Sequence, residues 1–164
     1  MGLRTIKFRG KSIYDEDWLY GSLVKIEKDR YAVIPSLNDI EVGKSIGMYE
    51  VCTETIGQFT GLYDKNDKEV HEHDYISINY KREGIAVNDR VVIPDRYYIC
   101  KGEVIYVDRY SYFGLRPGKV RYIMKDFLNE CPYPTIPLSR FDLKCDSIEV
   151  LGDVFDHPEL IKEE

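Results

Sequence analysis

The strongest fold signal in the chain is Gly57-Gln58-Phe59-Thr60-Gly61-Leu62-Tyr63, followed directly by Asp64-Lys65-Asn66-Asp67-Lys68. Two glycines bracket a short aromatic segment that alternates like a strand. The polar residues after it have short side chains that bond their own backbone and tolerate left-handed dihedrals. From residue 69 to residue 80 the alternation resumes. The segment therefore predicts a strand, a turn and a second strand.

Short apolar runs with the same alternation occur on both sides of this segment. The predicted strands are residues 6–11, 18–26, 31–35, 91–93, 97–100, 102–107, 112–115 and 148–155. The chain has 14 Tyr but only 6 Phe, and Tyr suits half-buried pleated surfaces because its ring packs while its hydroxyl stays wet. The sequence therefore predicts a mainly β fold that begins as a short-strand meander.

Helical signals are few. Residues 53–56 predict one helical turn. Residues 156–160 predict a capped terminal helical turn. Pro158 fits the start of that turn, because the amide that proline lacks has no partner within the first turn of a helix. Within residues 119–130, apolar side chains recur at the spacing of an amphipathic helix, with a strand over part of this stretch as the alternative. Prolines at 132, 134 and 137 predict an extended linker after it.

Length and charge bound the kind of protein. A chain of 164 residues fits one domain or two small lobes. Its net charge is −6, but residues 80–125 carry ten basic and five acidic residues, while the rest carries 13 basic and 24 acidic ones. Such polarity favours binding to a second copy of the chain, or steering of a charged partner to one face.

The cysteines and the N-terminal segment indicate a reducing compartment. None of the four cysteines, Cys52, Cys100, Cys131 and Cys145, belongs to a Cys-x-x-Cys pair, so we expect thiols rather than disulfides or a zinc site. No secretory signal and no apolar run of membrane-spanning length is visible in the sequence. We expect a cytoplasmic protein without a membrane partner.

Three stretches of the chain, taken together, resemble the YopX family of phage and prophage proteins. They are residues 6–11 with 18–21, residues 55–74, and residues 148–160. The resemblance implies a mainly β fold with a barrel-like (SH3-like) portion and one or two short helices, in a bacterial host cell. It implies a single domain over residues 1–164, or an N-terminal β lobe of 1–55 and a barrel-like lobe of 56–164. The family assigns no catalytic residues, so none is carried over.

The shared motif is best explained by folding. Its residues can close strands and supply turns, and a Gly-to-Gly span needs no ligand to account for it. The residues assigned this role are Gly57, Gln58, Phe59, Thr60, Gly61, Asp74 and Gly152. This chain has Glu72-His73-Asp74 where the family pattern has Glu-Gly-Asp, and His73 argues against a positive backbone dihedral there.

One cluster has the residue types of a metal site. If residues 69–80 form one strand, His71 and His73 share a face, and His157 or a carboxylate would have to complete a zinc site. The favoured interpretation is an exposed polar strand end. We therefore expect no metal and no other cofactor.

The basic middle of the chain interleaves cations with aromatic rings. Cations can neutralise phosphates and rings can stack on unpaired bases. The candidate nucleic-acid-binding residues are Arg96, Arg109, Arg116, Lys119, Arg121, Tyr110 and Tyr112. A subunit contact or a solvated face is the favoured alternative, because acidic residues dilute the patch.

No catalytic motif is present: the sequence has no Gly-x-Ser-x-Gly, no phosphate loop and no dinucleotide fingerprint. The leading hypothesis is a non-catalytic β interaction module that self-associates, with a host or phage protein as a further partner. Single-stranded nucleic-acid binding through residues 80–125 is the alternative.

Overall fold

The computed structural model describes residues 5–36, 46–82, 84–87, 90–93, 96–117, 135–141 and 147–162. The chain forms two compact units. The first holds the chain up to Leu62 together with Glu69–His73, and the second holds Tyr63–Lys68 and the chain from Asp74 onward. Whether these units act as one domain or as two lobes stays a prediction.

The first unit is built on an antiparallel sheet that has six strands in the described residues. They are β1 (Phe8–Lys11), β2 (Trp18–Glu27), β3 (Arg30–Pro35), β4 (Tyr49–Val51), β5 (Gly57–Tyr63) and β6 (Glu69–His71). Their order is β4-β3-β2-β1-β5-β6. The predicted helical turn before β5 is confirmed as a single 3-10 turn at Thr53–Thr55.

This first sheet curls back on itself. Ser12, just after β1, forms a bridge with Val51 of β4, and the Cys52 amide donates to the Lys11 carbonyl at 2.8 Å. The junction is tightly packed, because a Cβ on Gly10 would lie 3.0 Å from the Val51 side chain. The curl gives the first unit a barrel-like form. The observed curl joins residues 8–12 to residues 49–52, while the alternative of a barrel-like lobe over residues 56–164 stays a prediction.

The second unit contains a sheet of five strands in the order β12-β11-β10-β7-β13, counted over the described residues. These are β7 (Asp74–Arg82), β10 (Arg96–Val107), β11 (Tyr112–Pro117), β12 (Ile136–Pro137) and β13 (Ser147–Asp153). A separate hairpin pairs β8 (Ile85–Val87) with β9 (Arg90–Ile93). The terminal helix α1 (Glu159–Lys162) follows Pro158, as predicted.

The core of each unit follows from alternation along its strands. In β7 the side chains of Ile76, Ile78 and Tyr80 point to one face and are buried. Ile78 and Ile76 stand opposite Ile148 and Val150 of β13, and opposite Cys100 and Gly102 of β10. Buried side chains of the first unit include Ala32, Val33, Val51, Phe59 and Val70. The mainly β prediction is confirmed.

Several boundaries differ from the sequence predictions. Residues 69–80 are two strands rather than one, because the chain turns at residues 72–73. Residues 97–100 and 102–107 belong to one continuous strand, β10, since nothing at Lys101 interrupts its pairing with β7. Pro137 lies in the short strand β12 rather than in a linker. The stretch 119–130 lies outside the described residues, as do Pro132 and Pro134.

Membrane-spanning character can be judged for the described part of the chain. It contains no helix with the length and apolar composition needed to cross a bilayer.

Candidate functional site

The separate motif stretches of the first unit meet on one face of its sheet. Arg9 of β1 stands opposite Tyr20 of β2 on one side and opposite Gly57 of β5 on the other. Since side chains alternate across a strand, Arg9 shares its face with Phe59, two residues from Gly57. We call the face formed by Arg9, Trp18, Tyr20, Phe59 and His71 the motif face.

Arg9 is the centre of the motif face. Its guanidinium carbon lies 4.5 Å from the centroid of the Trp18 ring, and one terminal nitrogen donates to the Glu72 carbonyl at 3.0 Å. The residue is only 4% exposed. A desolvated cation over an indole is held by the ring quadrupole as well as by its hydrogen bond. Arg9 therefore ties β1 to β2 and to the end of β6.

His71 occupies the other end of the motif face and is 1% exposed. Its ring meets the edge of Tyr20 at a centroid distance of 5.6 Å and packs against Phe59 at 5.5 Å. Its Nε2 atom lies 3.5 Å from the Glu69 carboxylate, which also pairs with Lys7 at 3.1 Å. The prediction of an exposed polar strand end is wrong for His71, because aromatic neighbours cover it.

The geometry proposed for a metal site is not observed. His71 ends β6 and His73 lies in the following turn, so the two rings do not share a strand face. No cluster of three His, Cys, Asp or Glu side chains suited to a metal ion occurs within the described ranges. His157 instead lies beside Gly152, where an added Cβ would come within 2.8 Å of the His157 Nδ1 atom.

His73 does adopt the backbone angle that its side chain argued against. Its φ is 68°, the left-handed region in which an L side chain is disfavoured. The expectation drawn from His73 is therefore wrong. His73 lies in the short turn between β6 and β7, and a side chain at this φ carries a strain cost.

The glycines and polar residues of β5 have separate structural tasks. A Cβ on Gly57 would come within 2.7 Å of the Glu72 carbonyl oxygen, so the close approach of the Glu72 backbone requires glycine. Gly61 has a φ of 88°. The Thr60 hydroxyl donates to the Val70 carbonyl at 2.8 Å. At Gln58 the backbone amide, rather than the side chain, makes the bond, donating to the Glu72 carboxylate at 2.8 Å.

Asp64 organises the turn after β5. One carboxylate oxygen accepts from the amides of Asn66 and Lys68 at 2.7 and 2.9 Å. The other accepts from the Val150 amide of β13 at 3.1 Å. Burial raises the pKa of Asp64, but the bonds from Lys68, Val150 and Asn66 outweigh it and hold that pKa below its ordinary value. The bond to β13 spans 86 positions, and nothing in the sequence signals it.

Two further motif residues lie in the second unit. Asp74 opens β7 and is buried. It stands opposite Asp153, whose carboxylate accepts from the amides of Phe155 and Asp156 at 2.9 Å each. Gly152 leaves room for His157, as the close approach described above requires. These residues shape the end of β13 and the start of the terminal turn.

The candidate nucleic-acid residues are only partly brought together. Arg109, Tyr110 and Tyr112 lie at the β10–β11 connection, where the two tyrosine rings stack at 6.3 Å and the Arg109 guanidinium lies 5.5 Å from the Tyr110 centroid. Arg116 pairs with Glu103 at 3.1 Å. Arg96 begins β10, while Lys119 and Arg121 lie outside the described residues.

The cysteines in the described ranges, Cys52 and Cys100, are not in disulfides. Burial raises the pKa of the Cys100 thiol to about 12. A thiol with so high a pKa holds little thiolate at neutral pH, so it is a poor nucleophile and a poor metal ligand.

Comparison with known proteins identifies one family. Residues 7–162 match the family described as YopX protein. Among solved structures, the chain is similar to protein EF1440 from Enterococcus faecalis, with a TM-score of 0.46 and 18% identity over 96% of this chain and 98% of that chain. No curated protein matches the chain.

Proposed function

The chain belongs to the YopX family, and we propose that it is a non-catalytic accessory protein that assembles with further copies of itself. The family resemblance supports a phage or prophage setting and action in the host cytoplasm. A host or phage protein is a further partner in this proposal. The observation that carries self-assembly is a cluster of exposed apolar side chains in the first unit.

This cluster, which we call the Tyr14 patch, surrounds β4. It consists of Ile13, Tyr14, Ile46, Met48 and Tyr49. The backbone brings its parts together, since the Ile13 amide donates to the Glu50 carbonyl at 3.3 Å. The Tyr49 side chain lies over Gly47, as shown by the 2.8 Å that would separate a Cβ on Gly47 from the Tyr49 hydroxyl.

The side chains of the Tyr14 patch are strongly exposed to solvent. Tyr14 is 81% exposed and Met48 is 55% exposed. Single exposed apolar residues are ordinary on protein surfaces, but several of them on two neighbouring segments favour an interface. Tyr and Met are also side chains that interfaces favour. The patch therefore supports contact with another protein surface.

The motif face supports the non-catalytic part of the proposal. Arg9 is engaged with the Trp18 ring and the Glu72 carbonyl, and beside the motif face Lys7 pairs with Glu69. A catalytic acid or base needs a group poised to reach a substrate. The motif residues instead hold strands together.

The test is a double substitution in the Tyr14 patch, Tyr14→Ser with Met48→Ser. Association measured by sedimentation velocity should weaken by about tenfold or more, because exposed aromatic and Met anchors dominate interface energies. The matched control is Ile99→Ser, since Ile99 is 52% exposed but lies on β10 of the second unit. Equal association of the patch variant and the wild-type chain would refute the proposal.

Single-stranded nucleic-acid binding is a second candidate, favoured by the stacked tyrosines beside Arg109. Tyr110 is exposed and its ring lies nearly parallel to that of Tyr112, with an interplanar angle of 24°. Such a pair can extend a stack of bases, and Arg109 can meet a phosphate. The ion pair of Arg116 with Glu103 weakens this candidate.

A fluorescent oligothymidine tests it directly. Binding followed by anisotropy should be salt-dependent and should fall with Arg109→Ala or Tyr110→Ala. An unchanged anisotropy at low salt would exclude this function.

A further inference from the structure

The outer edge of β13 is covered by the turn at residues 64–68. In the described part of the chain, β13 pairs with β7 on one side only. On its other side, the Lys65 amide donates to the Ile148 carbonyl at 2.9 Å, and the Asp64 carboxylate accepts from the Val150 amide at 3.1 Å. The turn thus satisfies one acceptor and one donor of an edge strand.

The two covered groups have a simple relation to each other. Ile148 and Val150 are the neighbours of Glu149 on either side, and both direct hydrogen-bonding groups away from β7. If a second β13 lay antiparallel about Glu149, its Val150 amide would reach Ile148 and its Ile148 carbonyl would reach Val150. In this chain the Lys65 amide takes the position of the second copy's Val150 amide. The Asp64 carboxylate takes the position of the second copy's Ile148 carbonyl.

We infer that the turn 64–68 is a removable cap that prevents β13 from pairing with β13 of a second copy of this chain. Exposed edge strands template pairing with other chains, and native proteins cover or charge them. The inference does not rest on the Tyr14 patch, because it concerns a different strand in the second unit. A released cap would add edge pairing as a second route to assembly.

Glu149 adds a second barrier to the same pairing. In the capped state its carboxylate pairs with the Lys65 ammonium at 2.9 Å. In the two-fold arrangement each Glu149 would face the Glu149 of the other copy, and like charges directly opposite are destabilising. Uncapped pairing should therefore strengthen as salt is added, since salt screens exposed charges.

The sharpest variant is Asp64→Asn. One amide oxygen can still accept from Asn66 and Lys68, so the turn is kept, but an NH2 group then faces the Val150 amide, donor against donor. The matched control is Lys65→Ala, which removes the ion pair to Glu149 and leaves both backbone contacts to β13 in place. Both are made in the Tyr14→Ser, Met48→Ser chain, so that patch-dependent assembly does not interfere.

Sedimentation velocity of the full chain measures the outcome. Asp64→Asn should associate at least roughly tenfold more tightly than Lys65→Ala, the worth of one or two released hydrogen bonds. Adding Val150→Pro should reverse this, because proline has no amide to donate and is tolerated on an edge strand. Glu149→Thr, which removes the charge barrier without touching the turn backbone, should also raise association.

Two results would overturn the inference. One is unchanged association of whichever of Asp64→Asn and Glu149→Thr folds, as judged by circular dichroism. The other is increased association that Val150→Pro does not reverse, since that would place the new contact elsewhere. Loss of association in the Tyr14→Ser, Met48→Ser parent alone concerns the proposed function and leaves the cap untouched.

Discussion

The motif face and the Tyr14 patch belong to the same unit, yet they reverse the usual placement of side chains. The motif face buries a guanidinium and an imidazole, Arg9 and His71, while the Tyr14 patch exposes Tyr14 and Met48. A buried polar group is costly unless it finds partners, as Arg9 finds the Glu72 carbonyl and the Trp18 ring, and a group of exposed apolar side chains is typical of a contact surface. The comparison suggests that the motif maintains the fold and that the patch makes the contact.

The largest expected effect is on the motif face. Arg9→Ala should lower the free energy of unfolding by about 3 kcal/mol, because it removes a charged hydrogen bond and uncovers the Trp18 ring. Chemical denaturation followed by Trp fluorescence measures it. Tyr14→Ser is the control and should change stability by less than about 0.5 kcal/mol. A loss below about 1 kcal/mol for Arg9→Ala would contradict a structural role for the motif face.

Gly57→Ala should come next, with a loss of about 2 kcal/mol. The added methyl group would press against the Glu72 carbonyl at 2.7 Å, and a backbone atom cannot move aside cheaply. Gly10→Ala is the comparison, because its added methyl would meet the Val51 side chain at 3.0 Å, which can give way. The melting temperature of Gly57→Ala should be lower than that of Gly10→Ala. The reverse order would argue against the close approach of the Glu72 backbone to Gly57.

Acid should weaken the turn at Asp64. Because the pKa of Asp64 is lowered in the folded chain, its stabilising contribution is complete above the unfolded pKa of about 3.9 and is lost as pH falls through the folded value. Free energies of unfolding for the wild-type chain and Asp64→Asn should therefore differ most near neutral pH and converge in acid. A difference that is constant with pH would show that the carboxylate charge contributes nothing.

The smallest effect should be a gain. His73→Gly should stabilise the chain by about 1 kcal/mol, since glycine adopts the φ of 68° without the strain of a side chain. Differential scanning calorimetry measures the shift, and His73→Ala, which keeps a Cβ, should give no such gain. A destabilised His73→Gly chain would mean that the His73 side chain makes contacts that outweigh the strain.

The sequence was informative where local chemistry sets the structure. The turn after Tyr63 has the Asp and Asn residues that such turns need, and the apolar run at residues 148–155 predicts the strand observed as β13. The sequence was misleading where a residue breaks a local pattern. Histidine is not a residue type typical of turns, so the sequence did not indicate that β6 ends before His73. Fixed positive φ at such a position comes from the strands on either side.

The candidate sites were harder to predict for a related reason. Alternation alone places Arg9 and His71 outward, and only the pairing of β1 with β2 and of β5 with β6 supplies the rings that cover them. The Asp64 contact to Val150 depends on a partner far along the chain. Exposure of the Tyr14 patch is likewise a property of the folded surface, so the sequence could indicate self-association only through charge polarity and the surplus of aromatic residues.

The molar mass of the full wild-type chain, measured by light scattering over a range of concentrations, tests the central claim most directly. We predict a mass that rises with concentration toward a multiple of 19.2 kDa, because the proposed assembly would cover the exposed side chains of the Tyr14 patch. A mass of 19.2 kDa at every concentration would contradict self-assembly.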